Sequence, residues 1–399
     1  MKTIIGHERC RLYHGDSIDL GTVLDENSVD SIVCDPPAGI DFMGKGWDSD
    51  KGGRDAWIAW LRDLMGAAFK ALKPGGYALV WALPRTSHWT ATALEDAGFE
   101  IRDVHHHIFG TGFPKSLDIG KATGGAKWAG FGTALKPAVE HWILCRKPLI
   151  GTYAENVLTH GTGGLNIAAC RIGTDGEVVA MVQSNPSNRS HGEAVQPGAG
   201  SDLAKMQAAQ AASIARTNSI GRWPAHLSLE HAEACSEGAC VLGCPVRLLD
   251  EQSGACGAAA PVKGTEPSRA VEPGTVTGTR ERVPGKFHGD KGGASRFFYV
   301  AKGARSEKDA GLGHVESRHG AEATAPRNHH PTVKSIALMR WLVRLVTPPG
   351  GTVLDPFAGS GTTGVAALAE GLSFVGVEQG GKDGEYIPIV SGRLRHALG

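Results

Sequence analysis

A glycine-rich turn near the C-terminus has the residue types and spacing of a ligand-binding turn. It lies in the segment 353–363, VLDPFAGSGTT, between a predicted strand at 351–354 and a predicted helix at 363–369. Glycines let a ligand approach the backbone closely, and the start of a helix offers free N–H groups. A second predicted strand, 373–377, ends at Glu378, whose carboxylate suits ligand hydroxyl groups. The spacing matches neither the Rossmann dinucleotide pattern nor a P-loop.

An acidic residue followed by two prolines lies near the other end of the chain. A predicted strand at 28–34 leads directly into Asp35, Pro36, Pro37 and Ala38. The two prolines remove backbone freedom, so the side chain and carbonyl groups around them are held in fixed positions. The segment is therefore a second candidate for chemistry.

Together these motifs resemble those of the amino-directed DNA methyltransferases. The turn DPFAGSG resembles their S-adenosylmethionine turn, and Asp35-Pro36-Pro37 resembles their Asp-Pro-Pro-aromatic motif, which handles an exocyclic amine. A catalytic motif that precedes the cofactor motif is the order of the class called beta. The resemblance implies an α/β fold with a Rossmann-like, seven-stranded mixed sheet and an inserted recognition module. It also implies a methyl transfer from S-adenosylmethionine to adenine N6 or cytosine N4, with adenine preferred.

The chemistry of such a transfer explains the acid and the prolines. An exocyclic amine is a poor nucleophile because its lone pair is delocalised into the ring. The Asp35 carboxylate and the Pro36 carbonyl would accept both amine hydrogens, which favours a pyramidal nitrogen with an outward lone pair. The methyl sulfonium is already a strong electrophile, so positioning supplies much of the acceleration. The target base must also leave the duplex.

The resemblance further implies a set of residues that hold the methyl donor. They are Asp16, Thr332, Lys334, Asp355, Phe357, Gly359, Ser360, Gly361, Thr362 and Glu378. Three of them have structural alternatives. Asp16 and Thr332 also suit helix caps, and Lys334 is either a ligand for the donor carboxylate or a surface lysine.

One position departs from the family pattern. Ala38 stands where the family has an aromatic ring that stacks on the target base, a contact worth about 1–3 kcal/mol. Phe42 and Trp47 are candidates for a replacement ring, or they pack the loop. Two other functions therefore stay open: a methyltransferase acting on RNA or a protein amide, and a non-catalytic protein that binds DNA or the donor.

Composition sets further bounds. The chain has 399 residues, 41% of them hydrophobic, and 41 basic residues balance 41 acidic ones, so net charge alone does not indicate a nucleic-acid partner. A local basic excess lies in the segment 263–308. Without an apolar run or a leader pattern, we expect a cytoplasmic protein with no membrane contact. Double-stranded DNA is the expected partner, while a homodimer and a restriction endonuclease partner stay open.

The expected domain organisation has three parts. Residues 1–150 form the catalytic half, 151–295 a loop-rich insert for target recognition, and 296–399 the cofactor-binding half. The insert contains one predicted helix, at 203–215. Predicted loops occupy 185–191 and 261–291.

Cysteines in the insert are candidate metal ligands. Cys235, Cys240, Cys244 and Cys256 lie near His226 and His231, and such residues can hold a tetrahedral structural zinc ion. Free thiols packed beneath a loop-rich module are the alternative, because no Cys-x-x-Cys pair occurs. The consecutive residues His105–His107 alternate faces on a predicted strand, so we interpret them as polar or edge positions.

Overall fold

The structure, a computed structural model, describes most of the chain. The described residues are 1–44, 46–110, 112, 116–173, 221–236, 238–255, 292–315, 327–381 and 384–399. They form two compact units, of which the first comprises 1–170, 225–247 and 300–399, and the second comprises 171–224 and 248–299. The domain boundaries at 150 and 295 stay predictions.

A mixed sheet of ten strands forms the centre of the first unit. Its spatial order is β1-β2-β10-β9-β3-β4-β6-β5-β7-β8. The strands are β1 (Lys2–His7), β2 (Cys10–His14), β3 (Val29–Cys34), β4 (Leu72–Ala82), β5 (Glu100–Ile108), β6 (Val139–Arg146), β7 (Leu227–Glu230), β8 (Tyr299–Ala301), β9 (Thr352–Asp355) and β10 (Ser373–Glu378).

The α/β class is confirmed, but the prediction of seven strands is wrong. At one edge, β1 pairs antiparallel with β2 and adds a strand beyond the parallel core. At the other edge, β7 pairs parallel with β5, and β8 follows β7 in the sheet order. Both β7 and β8 are short, and β7 comes from the segment that was expected to be a loop-rich insert. A four-residue strand such as β7 carries too little hydrophobic periodicity to be recognised in sequence.

The described helices are α1 (Arg54–Ala71), α2 (Ser87–Asp96), α3 (Ile119–Thr123), α4 (Tyr153–His160), α5 (Pro245–Ser253), α6 (Arg305–Asp309), α7 (Ile336–Val346), α8 (Thr362–Ala369) and α9 (Ile387–Leu398). Of these, α1, α2, α4, α7, α8 and α9 contact strands of the sheet. The apolar stripe of α1, with Trp57, Leu61 and Met65, is buried in one core with residues of β3, β4 and β10. In the part of the chain that the structure describes, no helix is long and apolar enough to cross a membrane.

The middle of the sheet joins the two ends of the chain. β3 lies between β4 and β9 and runs parallel to both, with Ser31 opposite Val353. Every residue of β3 is buried, as expected for a parallel strand covered on both faces. Because β3 and β9 run in the same direction, the residues that follow them, beginning with Asp35 and Pro356, emerge at one edge of the sheet.

Several local predictions need correction. Thr332 is not a helix cap: the side chain of Ser335 caps α7 by accepting a hydrogen bond from Leu338 N. The strand with His105–His107 is not an edge, because β5 lies between β6 and β7. His105 and His107 are buried. The predicted helix at 203–215 and the predicted loops at 185–191 and 261–291 lie outside the described residues.

Candidate active site

A cleft of about 1750 Å³ opens at the carboxyl ends of the central strands. All of its wall belongs to the first unit. The site residues predicted from the sequence that line it are Asp16, Asp35, Pro36, Pro37, Ala38, Phe42, Trp47, Thr332, Lys334, Asp355, Phe357, Gly359, Ser360, Thr362 and Glu378. The cleft thus brings together residues from both ends of the chain. This is the position where open α/β sheets bind ligands.

Gly361 is the predicted donor-binding residue that does not line the cleft. It has a left-handed backbone with φ of 78° at the start of α8. A Cβ atom there would lie 3.0 Å from Val390 Cγ2, so the glycine lets α8 and α9 approach each other. Its role in this structure is to shape the turn.

Asp35 is paired with a partly buried cation. Lys334 Nζ lies 3.3 Å from Asp35 Oδ2 and 3.3 Å from Glu140 Oε1, and 4.2 Å from the centre of the Trp81 ring. Burial raises the pKa of Asp35 to about 6, and the Lys334 ammonium opposes that shift. The carboxyl group is therefore ionised at neutral pH but titrates close to it.

The pair belongs to a longer row of charged groups. Glu140 also contacts His107, whose other ring nitrogen lies 3.3 Å from Glu230 Oε2. Burial alone would raise the pKa of Glu140, but Lys334 and His107 lower it to about 2. Lys334 thus sits between two carboxylates, and its position is set from both sides.

A compact loop follows the two prolines. The buried Asp48 carboxylate accepts hydrogen bonds from Gly39 N at 3.0 Å and Phe42 N at 2.8 Å. Gly39 has φ of 70°, and a Cβ atom there would lie 2.5 Å from Trp57 Nε1. The Asp48 carboxylate therefore stabilises the conformation of the loop. Gly39 is required where the loop passes the Trp57 indole.

The cleft that Ala38 lines also has several aromatic rings in its wall. Phe42 and Trp47 line the cleft as expected, and so do Trp60 and Trp81, which the sequence analysis did not identify. Trp60 also packs against Phe357, with ring centres 6.1 Å apart. The cleft therefore offers aromatic side chains to a flat ligand ring even though residue 38 is an alanine.

The glycine-rich turn is organised by two carboxylates. Asp355 Oδ1 accepts a hydrogen bond from Phe357 N at 2.9 Å. Glu378 accepts from Gly359 N at 2.6 Å and from Gly380 N at 2.7 Å. Burial raises the pKa of both Asp355 and Glu378 to about 7. The cleft therefore contains acids that favour a cationic ligand, because such a ligand would stabilise their ionised forms.

An arginine missed by the sequence analysis supports the same turn. The buried Arg393 of α9 donates to Ser360 O at 2.7 Å and to Thr362 Oγ1 at 2.9 Å. From the other side, Ser17 donates to Pro356 O at 2.5 Å. No local pattern marks Arg393, because it lies in an amphipathic helix 31–33 positions after the groups it binds.

The remaining predicted donor residues have local partners as well. Asp16 caps the turn of 3-10 helix that follows it by accepting from Ile18 N at 3.1 Å, and it accepts from Gln379 Nε2 at 2.7 Å. Thr332 lies beside His330, a partly buried residue whose pKa is lowered to about 4 by desolvation. His330 and Gly359 face each other, because a Cβ atom on Gly359 would lie 3.1 Å from His330 Nε2. Both Asp16 and Thr332 therefore combine a structural contact with a place on the cleft wall.

Some of the candidate metal ligands lie close together in the structure. Cys235, Cys240 and Cys244 come together with His231. Cys256 lies outside the described residues, and His226 is not part of the group. All of the cysteines that the structure describes are free thiols.

Comparison with known proteins connects this site to DNA methylation. Residues 295–387 match the family model described as DNA methylase. The resemblance to amino-directed DNA methyltransferases is thereby confirmed for this segment. The segment contains the glycine-rich turn, Lys334 and Glu378.

Two proteins of Escherichia coli K12 are similar over short stretches. The chain is 46% identical to the DNA adenine methyltransferase YhdJ over 66 residues, which are 16% of this chain and 21% of that protein. It is 50% identical to the putative methylase YubD over 50 residues, 12% of this chain and 22% of that protein. The match thus spans about a fifth of the length of either relative. Among solved structures, the cytosine-N4-specific PvuII DNA methyltransferase is 14% identical, with 98% of this chain and 88% of that chain covered and a TM-score of 0.47.

Proposed function

We propose that this protein is a DNA methyltransferase that transfers a methyl group from S-adenosylmethionine to an exocyclic amino nitrogen. The observation that carries the proposal is the shared cleft, in which Asp35 and Pro36 face the glycine-rich turn. The match of residues 295–387 to the DNA methylase model supports it.

Asp35 and the Pro36 carbonyl would act on the target amine. Both are hydrogen-bond acceptors, and the carboxylate form of Asp35 is the one that accepts an amine hydrogen. Lys334 favours that form, since its ammonium lies 3.3 Å away and opposes the effect of burial. As the amine attacks, its nitrogen gains positive charge, which the fixed carboxylate stabilises.

The acids around the glycine-rich turn fit the methyl donor. S-adenosylmethionine carries a sulfonium and an ammonium group, and it supplies the electrophilic methyl group when bound. Asp355 and Glu378 are buried carboxyl groups whose ionisation a cation would favour. Gly359, with φ of 53°, allows the close approach of a ligand to the backbone.

The expected substrate is double-stranded DNA with a base turned out of the helix. Phe42, Trp47, Trp60 and Trp81 give the cleft an aromatic wall that can hold a base in the absence of a ring at position 38. Adenine N6 is preferred over cytosine N4, on the family habit of the Asp-Pro-Pro form. The stretch shared with an adenine methyltransferase supports this choice.

The test is to express the full chain in cells that lack DNA methylation and to map modified bases by single-molecule sequencing. We expect methylated adenine at a defined sequence. Methyl groups that appear only in RNA or protein, or only on cytosine N4, would contradict the substrate assignment. No transfer at all, despite donor binding, would contradict the activity.

Asp35→Ala should separate chemistry from donor binding. Loss of the carboxylate is expected to lower methyl transfer at least about 10³-fold, within the range for a lost acid–base group. Calorimetry should give a donor affinity close to that of the unchanged chain. Asp96→Ala removes an exposed acid at the end of α2 and serves as the control. Retained transfer in Asp35→Ala would refute its role.

A further inference from the structure

We propose that His231, Cys235, Cys240 and Cys244 bind one structural zinc ion. Each residue offers one ligand atom, and the four atoms all lie within 4.8 Å of one another. His231 Nδ1 is 3.3 Å from Cys240 Sγ and 3.5 Å from Cys244 Sγ. The site is distinct from the cleft, whose wall contains none of these residues.

The distances are close to those that a zinc ion imposes. Tetrahedral zinc with bonds of about 2.3 Å to sulfur and about 2.0–2.1 Å to nitrogen holds its ligand atoms about 3.5–3.8 Å apart. The two nitrogen–sulfur distances already have this value within 0.2–0.3 Å. The widest separation in the group requires a contraction of about 1 Å, which side-chain rotation can supply.

The backbone around the ligands has a defined course that brings them together. His231 directly follows β7, and its N–H donates to Ala301 O at 3.0 Å. Val241 N donates to Cys235 Sγ at 3.4 Å, a contact that holds this sulfur in place. Gly243 has φ of 82°, so the chain turns immediately before Cys244 and α5. These contacts hold the segment 231–244 closed around the four side chains.

The ligand chemistry selects zinc and a structural role. Thiolate and imidazole ligands in a tetrahedron suit zinc, and four protein ligands leave no open position for a substrate or a reacting water. Cys235 and Cys244 are buried, so the group is shielded from bulk solvent.

The ion would stabilise one edge of the large sheet. His231 adjoins Glu230, which contacts His107, and the Ser228 hydroxyl lies 2.9 Å from His105 Nε2. Both histidines belong to β5. An ion bound directly after β7 therefore fixes the end of this four-residue strand.

The test uses the full chain and zinc alone, so it does not depend on the proposed methyl transfer. Mass spectrometry of metals in freshly purified protein should give about one zinc per chain. His231→Ala should weaken zinc binding at least about 100-fold, as measured by competition with a coloured chelator. His231→Cys should restore it, because four thiolates also bind zinc. Co²⁺ should give the strong visible absorption of a tetrahedral thiolate site.

His226→Ala is the matched control, because His226 lies five positions earlier and outside the group. It should leave zinc content unchanged. The proposal is wrong if the purified chain neither contains nor takes up stoichiometric zinc. It is also wrong if His231→Ala binds zinc as well as His226→Ala does, or if Cys240 and Cys244 form a disulfide in fresh protein.

Discussion

The charge state of Asp35 depends on a single lysine. Lys334 was expected either to meet the donor carboxylate or to lie at the surface. Instead, its ammonium contacts Asp35 and Glu140, and its side chain is only 13% exposed. Lys334 is therefore a positioning residue for Asp35, and its removal should change the pH at which Asp35 loses its proton.

Lys334→Met should shift the pH dependence of methyl transfer. Asp35 has a pKa of about 6, so activity should rise with pH through that value as the carboxylate forms. Without the lysine, burial acts unopposed, and the rise should move to higher pH by about one unit or more. The measurement is kcat against pH for both proteins at saturating donor and DNA.

Lys334→Arg should keep the rise near that of the unchanged chain, because it keeps the positive charge. Lys121→Met, which removes an exposed lysine, should have no effect. An unshifted profile in Lys334→Met, with only a weaker donor affinity, would instead support the role first expected for Lys334.

Sequence reasoning located the acids of the site but not their partners. Asp35 and Glu378 follow strands whose apolar runs are clear, so their positions at strand ends could be predicted. The Asp35–Lys334 contact and the Arg393 contacts depend on side-chain packing between distant segments. No periodicity or spacing in a single sequence carries that information.

Among the elements, the loop 39–48 depends on one glycine. Gly39 and Gly44 both have a left-handed backbone, with φ of 70° and 66°. Only at Gly39 would a Cβ atom collide with another group, at 2.5 Å from Trp57 Nε1, whereas nothing lies within 4 Å at Gly44. Substitution at these two positions therefore distinguishes the cost of a left-handed backbone from the cost of a steric clash.

Gly44→Ala should lower the free energy of unfolding by about 1–2 kcal/mol, the cost of a left-handed alanine. Gly39→Ala should cost about 1–3 kcal/mol more, because Trp57 must shift in a packed core. Urea unfolding of both variants measures the difference. Equal losses would show that the Trp57 contact contributes nothing.

Element prediction succeeded where periodicity was strong. The strand expected at 28–34 is β3 at Val29–Cys34, and the strand expected at 351–354 is β9 at Thr352–Asp355. It failed for β7, a strand of four residues in the segment that was expected to be a loop-rich insert. Short edge strands depend on a neighbour that the local sequence does not reveal.

Although the formal net charge of the whole molecule is zero, acidic side chains are buried together in the wall of the cleft. Asp355 and Glu378 have pKa values of about 7, above their usual 3.8 and 4.5. At pH values between its unfolded and its folded pKa, such a group binds more protons in the folded chain than in the unfolded chain. The free energy of unfolding therefore falls as pH rises from about 4 to about 7.

A bound cationic ligand should offset the loss of stability that accompanies ionisation of Asp355 and Glu378. We expect S-adenosylmethionine to raise the melting temperature more at pH 8 than at pH 5.5, since it stabilises carboxylates that are ionised only at the higher pH. S-adenosylhomocysteine lacks the sulfonium charge, so its effect should depend less on pH. Thermal unfolding with each ligand at both pH values is the measurement.

Asp355→Asn should flatten the decline of stability between pH 4 and pH 7 in the free protein. The amide oxygen can still accept from Phe357 N, so the turn is kept. A variant with the same pH dependence as the unchanged chain would argue against a raised pKa at this residue.

Placement of β9 between β3 and β10 has a consequence for biosynthesis. The hydrogen bond from Thr352 N to Asp30 spans 322 positions. While the chain is being synthesised, β2 and β3 therefore each keep one unpaired edge until β9 and β10 have been made. Unpaired strand edges promote association between chains. Products that stop before Thr352 should accumulate as aggregates or be degraded, because the gap between β2 and β3 cannot close without the strands still to be made.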